Sequence, residues 1–308
     1  MDRVALDYNS IFESCGIGKE PNNVVIKRFS QLSEFYTSDE LVSVYNYFLM
    51  NLENSELLMQ IIKLTDSCRS NSTLTILLEL LQNKISSEDE NINLRVMCIK
   101  AISNYKDTST VVVLLDCLNN KTENYKVRLA CADALGRIGD KYAVRPLIDL
   151  VEDEDEKSIY LKESATFALG LLGDTSAIDP LVSILESKQG FLDKFTFLKE
   201  KIVEALGKLN INNKKVMRAL KTSLMDPSPI VRINAIEAIM NSEDEDSVIL
   251  IKPSLQDQDD EVKKNALIAL YNLCGRDILD EVIDLPIYSE FLKFEAQELI
   301  NEYEDDDE

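Results

Sequence analysis

Histidine is missing from all 308 residues, and that absence removes a large part of enzyme chemistry. Without an imidazole there is no Ser-His or Cys-His nucleophile pair, no HExxH zinc site, and no side chain that titrates near neutrality unless its pKa is perturbed. No apolar run is long enough to cross a bilayer as a helix. The opening Met1-Asp2-Arg3-Val4 has neither a basic segment nor the apolar stretch of a secretory signal. Six cysteines are scattered without a CxxC pair, so no disulfide framework and no metal site are expected, and the compartment expected is the cytoplasm. Positive charge is scarce as well: 33 basic against 55 acidic side chains leave a net −22, which repels nucleic acid and anionic lipid. What remains is a protein partner with a basic or partly apolar surface, or a charge that serves solubility alone.

What the chain does contain is a recurring eight-residue cassette: an aliphatic residue, then Lys or Arg, a small or aliphatic residue four positions from the start, and usually Ala at seven. It starts at Leu94, Val127, Leu161, Leu198, Val231 and Val262, with a degenerate copy at Leu292. The intervals are 33, 34, 37, 33, 31 and 30 residues, the length of a helix pair repeated in a stack. Positions zero, four and seven share one helix face, and small residues there let another helix approach. A second apolar-periodic stretch precedes each cassette. The pattern therefore predicts an all-α chain, an α-solenoid in the form of a right-handed superhelix of antiparallel helix pairs. Gly139-Asp140 and Gly173-Asp174 punctuate it, ending one helix in a positive-φ residue and capping the next with a carboxylate. Cys274-Gly275-Arg276-Asp277 reads as a variant of that device. Cys98 and Cys131 take the small buried slot filled by alanine in other repeats, where they act as small hydrophobes.

The segments VRLACADALGRIGDKYAVRPLIDLV and LKESATFALGLLGDTSAIDPLVSIL resemble HEAT repeats of the kind found in phycobilisome bilin lyases and many scaffold proteins. The resemblance covers about residues 90 to 275 and fades on both sides. It implies a stack of helix pairs and leaves two function classes open. One is a non-enzymatic scaffold or adaptor using a concave face and an acidic edge. The other is a phycobilin lyase subunit or a bilin or phycobiliprotein chaperone, and only that reading brings a cofactor, the phycobilin. The shared residues are framework positions, so no catalytic residue is implied. Two other enzymes on such repeats are set aside: deoxyhypusine hydroxylase needs His-Glu motifs, and repeat-type DNA glycosylases need a cationic groove.

Organisation follows the cassettes. Residues 1–88 read as degenerate N-terminal repeats or a cap, with a separate small helical domain as the alternative. Residues 89–303 form the repeat solenoid, and 304–308 an acidic tail too charged to pack. The basic ladder at cassette position one, Arg95, Arg128, Lys162, Lys199, Arg232 and Lys263, either binds an anionic ligand or pairs with acids and carbonyls within the stack. The resembled family and the negative surroundings favour pairing. Positions two and six point toward the concave side and supply the partner-binding candidates Leu129, Asp133, Glu163, Phe167, Glu200, Glu204, Ile233 and Glu237, unless these are merely solvated faces. Phe191 and Phe195, with Phe197, lie in the longest interval. They either extend the next helix and fold onto the core or form an apolar contact site.

Overall fold

A computed structural model describes residues 6–82, 89–186, 196–209, 213–242 and 244–305. The described residues are all-α, and two compact units divide at Ala143 and Val144, within the run of cassettes.

The first unit holds α1 (Tyr8–Ser14), α2 (Asn22–Gln31), α3 (Ser38–Asn51), α4 (Ser55–Leu64), α5 (Asn71–Gln82), α6 (Asp89–Tyr105), α7 (Val111–Asn119) and α8 (Tyr125–Ile138). Alternate helices stack: α2 on α4, α4 on α6 and α6 on α8 form one layer, while α1, α3 and α5 succeed one another in the other. The cassette helices α6 and α8 thus continue a layer that begins at α2, where no cassette is legible. Phe29 and Phe48, both fully buried, pack against each other at 5.4 Å between ring centres and supply bulk that the cassette repeats obtain from aliphatics.

The second unit holds α9 (Val144–Glu152), α10 (Ile159–Leu172), α11 (Ile178–Leu185), α12 (Thr196–Leu209), α13 (Lys214–Ser223), α14 (Pro229–Met240), α15 (Ser247–Ile251), α16 (Asp260–Cys274), α17 (Asp277–Asp284) and α18 (Glu290–Asp305). The cassette helices α10, α12, α14, α16 and α18 stack in sequence, and α9, α11 and α13 form the layer behind them. Leu161, Ala165 and Ala168 are buried, as are their counterparts Leu198, Ile202, Ala205 and Val231, Ala235, Ala238. Small residues bring the cassette helices together: a Cβ on Gly170 would lie 3.2 Å from Ala205 Cα, and one on Gly207 only 2.7 Å from Ala238 Cβ.

Helix ends follow the local chemistry read from the sequence. Gly139 and Gly173 close α8 and α10 at φ +84° and +64°, and Asp174 Oδ1 accepts a hydrogen bond from Ser176 N at 3.0 Å at the following start. Gly275 departs from this device. Its ψ of −155° takes it out of the left-handed helical region, and Arg276 precedes α17 without a side-chain cap, leaving Asp277 inside the first turn. At the far end α18 continues through Asp305, into the segment expected to be an unpacked tail. Residues 306–308 lie outside the described residues. Among the described residues no helix is long and apolar enough to cross a membrane.

Candidate functional site

The cassette cations are engaged within their own unit. Arg95 donates from Nε to the Leu81 carbonyl at 3.1 Å and grips Glu123 with both terminal nitrogens at 2.7 Å. Burial works to lower the Arg95 pKa, but the Glu123 hydrogen bonds and charge outweigh it and raise the value. Arg128 Nε donates to the Leu118 carbonyl at 2.7 Å. Lys162 Nζ donates to the carbonyls of Val151 and Asp153 at 3.1 and 2.7 Å. Its pKa is lowered by burial, against the pull of Asp153, Glu156 and Glu154. Lys199 meets Asp226 at 2.8 Å, Arg232 forks onto Asp257 at 2.8 and 2.7 Å, and Lys263 pairs with Asp260 at 2.7 Å in its own first turn. Each of Arg95, Lys199 and Arg232 therefore ties its helix to the turn of the next repeat, 28, 27 and 25 residues on.

With the cations engaged, the surface chemistry of the second unit lies on the outward face of α10, α12 and α14. Residues seven apart on each helix share this face. The first register lies one residue before the cassette and holds Tyr160, Phe197 and Ile230, exposed by 65%, 68% and 49%. Further along α10 comes Phe167, half-buried, with Lys201 and Lys208 of α12 at 5.5 and 5.0 Å from its ring centre. Glu204 holds both lysines, at 2.8 and 2.6 Å. Burial tends to raise the Glu204 carboxyl, but the two ammonium groups dominate and lower it. Between α12 and α14 a cleft of about 190 Å³ is lined by Glu204, Gly207, Lys208, Asn234, Glu237, Ala238 and Asn241.

The residues expected at this surface divide accordingly. Phe167, Glu204 and Glu237 come together there, Glu237 exposed on α14. Glu163 and Ile233 are half-buried beside it. Glu200, expected to project outward, is instead buried, with its carboxylate accepting from the Ser228 hydroxyl at 3.5 Å. Burial raises its pKa, and burial together with the neighbouring Glu200 charge raises that of Glu163. On α12 and α14 cassette position two is less open than position six: Glu200 is buried and Glu204 half-buried, Ile233 half-buried and Glu237 exposed. Leu129 and Asp133 belong to α8 in the first unit and are half-buried there. Phe191 and Phe195 lie outside the described residues; Phe197 does extend α12, but it faces outward instead of folding onto the core. The apolar register Tyr160, Phe197 and Ile230 was not singled out from the sequence. Its signal was available, since each is a large apolar residue directly before a cassette start.

The model of the family described as HEAT repeats matches residues 74–159 and 192–271, more than half of the chain. The chain belongs to the HEAT-repeat family. A second family model, the PBS lyase HEAT-like repeat, matches residues 161–187 of this HEAT-repeat protein. No curated protein matches the sequence. Among solved structures, the complex of CpcE and CpcF of phycocyanin lyase from a Nostoc species is similar at 21% identity, covering 75% of this chain and 87% of that one, with a TM-score of 0.48. The E. coli protein YibA is 14% identical over 97% of this chain and 98% of its own, with a TM-score of 0.49. Human deoxyhypusine hydroxylase in complex with glycerol is 15% identical over 86% and 95%, at 0.35. Likeness this remote extends to no activity. Among the described residues no cluster of Cys, Asp and Glu is grouped to hold a metal ion.

Proposed function

We propose that the chain is a non-enzymatic scaffold or adaptor, which holds a protein partner on the α10–α12–α14 face of its second unit. The partner segment is partly apolar and partly cationic. One observation carries this reading: three successive cassette helices leave Tyr160, Phe197 and Ile230 exposed at the same register, with Phe167 and Glu237 seven residues further along the same faces of α10 and α14. Covering a large apolar side chain is worth about 1.5–3 kcal/mol, and aromatic residues at the centre of a patch are the usual anchors of protein interfaces. The surplus of acid adds long-range attraction for a cationic segment and disfavours nucleic acid. The proposed scaffold works in the cytoplasm and carries no cofactor.

The test is quantitative capture from native lysate by the full chain, the Phe197→Glu/Ile230→Glu double variant and Phe167→Glu. The changed positions on α12 and α14 are open to solvent, so the helical circular dichroism of the double variant should match the parent. A partner that binds the parent should be recovered about ten-fold less by the double variant, the effect of losing about 1.4 kcal/mol. Equal recovery would move the binding surface elsewhere.

A second reading is favoured by the lyase-type repeat matched at residues 161–187: a phycobilin lyase subunit or a chaperone for bilin or phycobiliprotein. It requires the purified chain to change the visible spectrum of added phycobilin, and an unchanged spectrum would remove it.

A further inference from the structure

In the layer behind the cassette helices of the second unit, α13 presents a surface whose charge opposes that of the chain. Residues 205–225 contain no acidic side chain, the longest such stretch in a sequence of net charge −22, yet they hold five cations. Four of these, Lys214, Lys215, Arg218 and Lys221, are exposed on α13, whose other side buries Val216, Met217, Ala219 and Leu220. Lys214, Arg218 and Lys221 stand at positions zero, four and seven of one helix face. Met225, 84% exposed, follows four residues further on in the turn that closes α13. At a rise of 1.5 Å per residue the three cations span about 10 Å, and the methionine lies about 6 Å beyond them.

This arrangement is unfavourable for α13 taken alone. Like charges three and four residues apart repel along a helix, and Lys214 and Lys215 occupy the first turn, where the helix dipole disfavours cations. The chain compensates only part of this. Lys215 meets Asp179 at 2.8 Å and Arg218 meets Glu186 at 3.5 Å, but all four side chains are at least 45% exposed. Pairs so open to water contribute little and exchange readily for another carboxylate. Among the described residues neither Lys214 nor Lys221 has an ion-pair or hydrogen-bond partner for its ammonium group.

We infer that the outer face of α13 docks an acidic helix of a partner protein, whose carboxylates meet Lys214, Arg218 and Lys221 and whose apolar residue covers Met225. A second helix repeats its side chains at the same intervals of four, three and four, so one of its faces can meet all four residues. Charge complementarity selects the class of partner, and the length of the stripe selects within it. A nucleic acid strand or an anionic membrane carries negative charge far beyond 10 Å and would be laid over Asp179 and Glu186 beside the stripe. An acidic helix can end where the cations end. The net charge of the chain repels such a helix at long range, but charges more than about 8 Å apart are screened at physiological salt, so the adjacent cations decide.

The full-length chain is titrated into a fluorescein-labelled, alanine-based helical peptide that carries a leucine and then glutamates four, seven and eleven residues on. A second peptide has glutamine at the three glutamate positions. Fluorescence anisotropy should show the glutamate peptide bound about ten-fold more tightly, with the difference shrinking as salt is raised from about 0.15 M to about 1 M. It should vanish in the Lys214→Glu/Lys221→Glu double variant. These substitutions lie on the exposed face and relieve the repulsion within α13, so the thermal midpoint of the variant should equal or exceed that of the parent, and its lost binding is not lost folding. The Phe197→Glu/Ile230→Glu variant should bind the peptide as the parent does, which separates this surface from the α10–α12–α14 face. Equal affinity for the two peptides, no binding of either, or a Lys214→Glu/Lys221→Glu variant that binds normally would overturn the proposal. So would tighter binding of single-stranded DNA or of phosphatidylserine vesicles, or loss of peptide binding in Phe197→Glu/Ile230→Glu.

Discussion

A guanidinium buried between two repeats is a liability unless its partner arrives with it. The Arg95 and Glu123 side chains are 9% and 7% exposed, so losing either one strands a charge out of water. Arg95→Met should cost about 3–5 kcal/mol in urea unfolding, and adding Glu123→Leu should recover most of that loss, because a buried ion pair exchanged for apolar packing is near neutral. Arg145→Ala is the control: its bond to Asp149 is 2.7 Å, but the side chains are 75% and 55% exposed, and the expected cost is under about 0.5 kcal/mol. That the cassette cation would be engaged was legible in one sequence, since the position recurs amid surplus acid. Which acid it takes was not. The partners lie 25 to 28 residues on, in the turn of the next repeat, where the spacing within one helix has no reach, and Lys263 uses Asp260 within its own helix instead.

Between elements, the decisive contacts are the smallest. Gly207 of α12 meets Ala238 of α14 so closely that a methyl group there must displace a helix, since the opposing Cβ is rigid. Gly207→Ala should therefore destabilise the chain despite alanine's better helix propensity: overpacking costs about 1–3 kcal/mol and propensity returns about 1. Ala238→Gly in the same chain should reopen the space and restore the thermal midpoint, which calorimetry would read. This closeness explains what the cassette revealed and what it concealed. The spacing of Leu161, Ala165 and Ala168 identified the buried side of α10, and the Gly-Asp steps placed helix ends correctly at Gly139 and Gly173. The same tightness buries Glu200, at cassette position two of α12, where an isolated helix would expose it. Helical periodicity locates one face of one helix; the shadow cast by its neighbour depends on how near the neighbour comes. In the first unit the layer begins at α2 and α4 without a legible cassette, because these helices meet their neighbours through larger side chains such as Phe29 and Ile61.

For the whole molecule, acid side chains shape the dependence of stability on pH in opposite directions. Burial raises the pKa of Glu200, so its ionised form is less favourable in the folded chain than in the unfolded one. The folded state therefore binds the proton more tightly, and this group's contribution falls as pH rises from the unfolded value of about 4.3 through the raised folded one. Glu204 runs the other way: its pKa is lowered, so its contribution is complete above the unfolded value and is lost as pH falls through the folded one. Glu200→Gln should raise the melting temperature at pH 7, with the gain disappearing below about pH 4, where the parent carboxyl is also neutral. An equal gain at both pH values would assign the effect to packing. The ties from Arg95 to Glu123, Lys199 to Asp226 and Arg232 to Asp257 carry a further consequence, for ancestry. Each joins one repeat to the following turn, so a gene that gains or loses part of a repeat separates a buried cation from its anion. Copying or deleting a whole repeat at these three junctions would carry one cation and one anion together. Such a chain would grow or shorten most readily in complete repeats.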